Sequence, residues 1–140
     1  INASKISPDF YAIHDGARPL IRKEEIRGCL ALAEKYGAAA VGVPVKDTIK
    51  IVDTSGKIIS NPPRENTYAI QTPQIFDASL YQLAMAQALQ EEKTYTDDCQ
   101  LVEQLGEAVY VYSGSYENIK ITTPEDLPLV EDLYQRLKGK

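Results

Sequence analysis

The residues best suited to chemistry open the chain's first apolar segment: Phe10-Tyr11-Ala12-Ile13-His14-Asp15-Gly16-Ala17-Arg18-Pro19. In an open α/β sheet ligands lie off the carboxyl ends of the strands, so an aspartate closing an apolar strand faces ligand rather than core. Asp15 is a hard oxygen donor suited to Mg²⁺ or to a substrate hydroxyl. Gly16 and Ala17 leave room for a ligand near the backbone, and Arg18 carries a planar fork that matches phosphate. The competing reading is a plain turn in which Asp15 and Arg18 pair with each other. His14, the only histidine, reads as a structural hydrogen-bonding residue rather than a general base, and excludes a histidine-rich metal cage.

Alternating strands and helices must position this edge. Lys23 to Tyr36 places Ile26, Leu30 and Ala33 on one helical face, Gly37 supplies a stop, and Ala38 to Val45 is an apolar run suited to a strand covered on both faces. Strand, helix, strand at these lengths is a βαβ unit with a right-handed crossover. Thr48 to Val52 and Lys57 to Ser60 flank Asp53-Thr54-Ser55-Gly56, which reads as a β-hairpin. Its isoleucines need a partner surface, either the parent domain or a second subunit.

Asn61-Pro62-Pro63-Arg64-Glu65 interrupts regular structure, and Thr67 to Gln71 resumes as a strand leading into Thr72-Pro73-Gln74. Asp77 caps a helix carrying Leu80, Leu83, Ala84, Ala88 and Leu89, and Thr96-Asp97-Asp98 opens another that ends at Gly106. Val109 to Tyr112 and Asn118 to Ile121 read as strands. A last helix begins with Thr123 as cap and Pro124 at its first position, and carries Leu127, Val130, Leu133, Tyr134 and Leu137.

The 140 residues suit one domain, and 44% hydrophobic with 25% charged is ordinary globular composition. A net charge of −5 argues against a general nucleic-acid binder, so any phosphate must be held by a few local cations. No apolar run approaches a spanning helix and no signal-peptide pattern opens the chain, so no membrane association and an intracellular location are expected. Cys29 and Cys99 lack C-x-x-C spacing and read as reduced structural thiols. The start at Ile1, without methionine and with a polar lead-in to Asp9, suggests a fragment or a processed piece.

Several of these segments together resemble the 2-C-methyl-D-erythritol 4-phosphate cytidylyltransferase family. They are His14 to Pro19, Val43-Pro44-Val45-Lys46-Asp47-Thr48-Ile49-Lys50, Gln71-Thr72-Pro73-Gln74, Thr96-Asp97-Asp98, and Asn118-Ile119-Lys120-Ile121-Thr122 followed by Pro124-Glu125-Asp126-Leu127. Each alone is weak; their order and spacing from Ile13 onward are specific.

The resemblance implies an α/β, Rossmann-like nucleotidyltransferase fold of three layers with a mainly parallel sheet, here N-terminally truncated. Residues 1–140 would be the C-terminal portion of one domain, with a protruding β-arm over about residues 47–70 that makes a homodimer. It implies transfer of a cytidylyl group from CTP to methylerythritol phosphate in non-mevalonate isoprenoid synthesis, with Mg²⁺ as cofactor, in a bacterial cytoplasm or plastid stroma. In-line attack of the acceptor phosphate on the α-phosphate of CTP would be stabilised by metal and cationic side chains.

By the same resemblance, Asp15 lies at the metal and at substrate hydroxyls, with Gly16 and Arg18 in the same pocket. Thr72 and Thr96 contact methylerythritol phosphate. Lys120 and Arg64 are the catalytic cations that hold its phosphate, Arg64 coming from the partner's arm. The sequence departs from the family's pattern in lacking the glycine-rich CTP loop: no G-x-G pattern occurs in it. The fragment alone is therefore expected to be inactive. Glu117 stands where aspartate is common, which puts a ligand role there in doubt. On the residues alone, Lys120 would be a solvated strand side chain, Thr96 a helix cap, and Lys46 with Asp47 an exposed pair. A ribitol-5-phosphate cytidylyltransferase and a non-catalytic dimerisation fragment remain as alternatives.

Overall fold

A computed structural model describes residues 7–91 and 94–139; most of the expected polar lead-in, residues 1–6, lies outside the described residues. β1 (Phe10–Ile13), α1 (Lys23–Tyr36) and β2 (Ala38–Pro44) follow one another as the sequence predicts. Gly37 ends α1 in the left-handed region at φ 89°, its N–H bonded to the Ala33 carbonyl. The main sheet is completed by β5 (Tyr68–Asp77) and β6 (Tyr110–Ser113) in the order β1-β5-β2-β6.

β5 pairs antiparallel with both β1 and β2, while β6 is parallel to β2. Strands β1, β2 and β6 thus run one way and β5 against them. The connections explain this. The α1 crossover returns the chain parallel to β1 with one strand position left open, and the chain leaving β2 comes straight back as β5 into that gap.

Between β2 and β5 the chain forms a separate hairpin, β3 (Ile51–Val52) with β4 (Ile58–Ser60), followed by a 3-10 turn at Arg64–Asn66. Its paired strands are shorter than expected. Asp53 organises the turn, its Oδ1 accepting from the Ser55 and Lys57 N–H groups, with Gly56 at φ 85°. Ile51, Val52, Ile58 and Ile59 remain 48 to 59% exposed, so the hairpin's apolar side is left open among the described residues.

β5 continues past its expected end at Gln71 through Thr72-Pro73-Gln74 to Asp77, with a cis Thr72-Pro73 peptide. Its register against β2 shifts between Ala40 and Gly42, beside a proline that has no N–H for the ladder. α2 (Ala78–Glu91) follows, capped by Asp77 Oδ1, and then α3 (Asp98–Glu103). The cap of α3 is Asp97, whose Oδ1 accepts from the Gln100 N–H; Thr96 precedes it, contrary to expectation.

Two clusters make three layers. Ala39, Val41 and Ile75 pack against Cys29 and Ala33 of α1, while Ala38, Ala40 and Phe76 pack against Tyr81 and Ala84 of α2 and Val102 of α3. β2 and β5 are the inner strands, so successive residues of each are buried on opposite faces. The inward face of α1 centres on Glu25, Cys29 and Ala33, with Ile26 exposed. In α2 it centres on Ala78, Tyr81 and Ala84; Leu80 and Ala88 pack beside them as predicted, while Leu83 and Leu89 are exposed, and the Tyr81 ring, stacked on Phe76 at 5.2 Å, takes the middle of the face. Cys29 and Cys99 are free and buried, and burial pushes the Cys29 thiol up to about 12.

The expected strand over Asn118 to Ile121 is absent: this segment is a turn and an irregular stretch, fixed by the Ile121 N–H on the Ala17 carbonyl at 2.9 Å. α4 (Asp126–Lys138) starts later than predicted. Pro124 lies in the preceding turn, and Pro128 occupies the first helical turn, where its missing N–H removes no helix bond. Asp126 Oδ2 instead accepts from the Thr122 and Thr123 N–H groups, which ties the irregular stretch to α4. Only Val130 of the predicted α4 stripe is buried. Among the described residues no helix is long and apolar enough to cross a membrane.

Candidate active site

The carboxyl end of β1, the middle of β5, the start of α3 and the loop after β6 surround a cavity of about 220 Å³. Its walls include Asp15, Arg18, Thr72, Thr96 and Lys120. The sequence scattered these residues over more than a hundred positions, and strand order brings them together: β1 and β5 are neighbours, and the loop after β6 crosses back to the β1 loop.

Asp15 Oδ2 lies 3.2 Å from Arg18 Nε and 3.2 Å from Lys120 Nζ. Burial pushes the Asp15 carboxyl up, but hydrogen bonds and charge from Lys120 and Arg18 outweigh it and hold the group below its ordinary 3.8. Both cations use Oδ2, and Oδ1 takes no partner among the described residues. The expected plain pairing of Asp15 with Arg18 is therefore present, as part of a larger cluster.

Arg18 is anchored further by its Nη1, which donates to the Asn118 carbonyl at 2.8 Å. The Asn118 side chain is fully buried; its Nδ2 donates to Gln71 Oε1 at 3.1 Å and to the Thr72 carbonyl at 2.9 Å. Gln71 Nε2 in turn donates to the Ser115 carbonyl. Gln74 bridges to α3, giving its Nε2 to Asp97 Oδ2 and accepting the Cys99 N–H. Glu25, buried at 5% exposure, accepts the Ser115 N–H from α1. Local sequence rules assign these buried polar residues no role, although Gln71, Gln74 and Asn118 stand inside the motifs. The available signal was polar residues within apolar strand sequence, because a buried amide needs partners.

Thr72 Oγ1 accepts the Asp15 N–H at 3.0 Å and lies 2.9 Å from His14 Nδ1, and His14 Nε2 lies 3.0 Å from the Arg18 carbonyl. Both ring nitrogens are thus engaged, in keeping with a structural histidine. Thr96 is exposed on the opposite wall, its N–H donating to Gln100 Oε1. An added Cβ at Gly16 would meet nothing within 4 Å, so this chain's own packing leaves the space beside it open.

Arg64 is not in this wall. It is exposed on the 3-10 turn that returns from the hairpin. Lys120 projects from an irregular stretch rather than from a strand end. Glu117 is committed to an ion pair with Arg22. Lys46 lies over the Tyr116 ring, 4.0 Å from its centroid, rather than pairing with Asp47.

Among the described residues no cluster of three or more His, Cys, Asp or Glu could hold a metal by itself. Mg²⁺ commonly takes only one or two carboxylates plus phosphate oxygens, and Asp15 with its uncommitted Oδ1 fits that role. Asp97 is used as a cap and Asp98 accepts from the Tyr81 hydroxyl at 2.6 Å.

Residues 1–136 match the family model described as IspD, 2-C-methyl-D-erythritol 4-phosphate cytidylyltransferase. A curated protein of that name from Desulforamulus reducens is 48% identical over 128 residues, covering 91% of this chain and 55% of the relative. One from Caldanaerobacter subterraneus is 52% identical over 123 residues, covering 88% and 54%. The chain thus spans about half the length of the curated relatives it matches. Among solved structures, the 4-diphosphocytidyl-2C-methyl-D-erythritol synthase of Anaerococcus prevotii superposes with a TM-score of 0.89 at 35% identity, covering 96% of this chain and 62% of that one. The 2-C-methyl-D-erythritol 4-phosphate cytidylyltransferase of Thermus thermophilus gives 0.81 at 35% identity, covering 92% and 63%. The expected nucleotidyltransferase fold is the one the chain adopts.

Proposed function

Since the chain belongs to the 2-C-methyl-D-erythritol 4-phosphate cytidylyltransferase family, we propose that it forms the acceptor-binding half of an enzyme that joins CTP to methylerythritol phosphate. The observation that carries this reading is the convergence of Asp15, Arg18, Thr72, Thr96 and Lys120 on one cavity. Hydroxyl-bearing and carboxylate groups suit a polyol, and Lys120 and Arg18 suit a phosphate.

In the reaction an oxygen of the acceptor phosphate forms a bond to the α-phosphorus of CTP while the bond to pyrophosphate breaks. Lys120 meets the acceptor phosphate as a point charge, and Arg64 reaches it as a fork from the arm of a second copy. The exposed isoleucines of the hairpin supply the apolar surface for that homodimer. Thr72 and Thr96 hold the polyol between β5 and α3. Mg²⁺, when bound through Asp15 Oδ1, would neutralise phosphate charge. The glycine-rich donors for the triphosphate would come from the length of the family that this chain does not span, and the 140 residues alone do not turn over.

The test is pyrophosphate release by the complete enzyme with CTP and either methylerythritol phosphate or ribitol 5-phosphate. Preference for methylerythritol phosphate supports the reading. Preference for ribitol 5-phosphate replaces it with the sister activity, and turnover of neither by a folded dimer rejects the enzymatic reading.

A further inference from the structure

The hydrogen-bond polarity around Thr72 is fixed by its neighbours, and this bears on what the cavity accepts. The Arg18 carbonyl can only accept, so His14 Nε2, 3.0 Å away, must carry a proton. In the neutral ring Nδ1 is then unprotonated and acts as acceptor, and the Thr72 hydroxyl 2.9 Å away must donate to it. The Asp15 N–H can only donate, and it takes one lone pair of Thr72 Oγ1 at 3.0 Å. With the ring neutral the hydroxyl proton is spent on His14, and one lone pair of Oγ1 remains.

From this chain we infer that His14 is a positioning residue that makes Thr72 an obligate hydrogen-bond acceptor toward the cavity, so that Thr72 selects a ligand hydroxyl and turns away an anionic oxygen. The inference rests on the proposed acceptor site and adds an orientation to it. The half-buried Thr72 takes the polyol end of the ligand, and the phosphate end is directed to the cationic side, where Lys120 is 47% exposed. A phosphate oxygen at Thr72 would face a lone pair, whereas a donated ligand hydroxyl completes the chain from Arg18 O through His14 and Thr72 to substrate. The same chain sets the Asp15 backbone, because its N–H is held by the oxygen that His14 orients.

The test combines a spectroscopic and a kinetic arm on the complete enzyme. Long-range ¹H–¹⁵N correlation of ¹⁵N-histidine-labelled protein at about pH 8, above the ordinary imidazole range, reads the tautomer of His14, assigned by the signal lost in His14→Gln. The Nε2–H tautomer is expected; an Nδ1–H tautomer overturns the proposal. This arm needs no turnover, so its result is independent of whether the proposed reaction is right.

In the kinetic arm, His14→Phe and Thr72→Val are each expected to raise KM for the polyol phosphate roughly tenfold, with KM for CTP unchanged. The double variant should be no worse than Thr72→Val alone, because His14 acts only through that hydroxyl. Thr72→Ser, which keeps the hydroxyl, should restore KM to within about threefold of the native value. Losses that multiply in the double variant, or a rise in KM for CTP of equal size, overturn the proposal.

Discussion

Lys120 Nζ sits 3.2 Å from Asp15 Oδ2, an ion pair that joins the loop after β6 to the loop after β1 across the mouth of the cavity. Side-chain exposures of 47 and 29% place the pair at the surface, where such pairs add little to stability. In the complete enzyme, Lys120→Ala should therefore leave the melting temperature within a few degrees of native while lowering kcat at least about 100-fold. Full turnover in a folded Lys120→Ala protein would remove Lys120 from the reaction.

The Asp15 cluster also predicts a pH dependence. Its folded-state pKa lies below the ordinary 3.8, held there by Lys120 and Arg18 against the opposing effect of burial. The stabilisation is thus complete above the unfolded carboxylate value and is lost as pH falls through the folded one. Carboxyl ¹³C titration should place Asp15 below 3.8 in the native protein and higher in Lys120→Met. An unchanged titration in that variant would show that Lys120 does not hold the group.

Asn118 offers a test of sign. Its buried Nδ2 faces two oxygens, Gln71 Oε1 and the Thr72 carbonyl. Asn118→Ala should cost about 1 to 3 kcal/mol by leaving those acceptors unmatched. Asn118→Asp should cost more, since an acceptor-only carboxylate would then be buried against them. Chemical denaturation of the variants checks the order; an aspartate variant as stable as native would contradict the bonding pattern.

Gly28 in α1 reverses a general rule. Replacing a mid-helix glycine by alanine ordinarily gains about 0.5 to 1 kcal/mol. Here an added Cβ would meet the outer edge of the half-buried Tyr112 ring of β6, which must move aside, so Gly28→Ala should forfeit that gain and destabilise by about 1 kcal/mol. A pairing of Gly28→Ala with Tyr112→Leu should recover part of the loss in thermal melts, and a stabilising Gly28→Ala would show that the helix and strand are not in this contact.

The placement of Arg64 outside its own chain's cavity predicts complementation between subunits. Arg64→Ala and Asp15→Ala chains, each inactive alone, should regain activity when mixed, because one site of the heterodimer then carries neither substitution. Native mass spectrometry establishes that subunits have exchanged. Mixed dimers without activity would mean that the arm does not deliver Arg64 across the interface.

By itself the sequence determined the strand and helix order through β2, the hairpin, the Asp77 cap and the motifs containing Asp15, Arg18, Thr72, Thr96 and Lys120. Local rules suffice there: apolar runs, a glycine with positive φ, and a carboxylate ahead of orphan N–H groups are decided within a few residues. What escaped it was non-local. The buried sides of α1 and α2 depended on which volumes the sheet offered, so Tyr81 joined Leu80 and Ala84 on the packed face while Leu83 and Leu89 stayed exposed. The segment at Asn118 to Ile121 alternates like a strand, yet the Ile121 N–H goes to the Ala17 carbonyl, the Asn118 N–H to the Ser115 carbonyl, the Asn118 carbonyl accepts from Arg18 and Asn118 Nδ2 donates to Gln71 and Thr72, all outside any strand ladder. Only the tertiary structure decided that Lys120 and Arg18 would share one oxygen of Asp15, and that His14 would claim the Thr72 proton. Such polarity is set by groups far apart in the chain that become hydrogen-bonding neighbours only when β5 lies between β1 and β2.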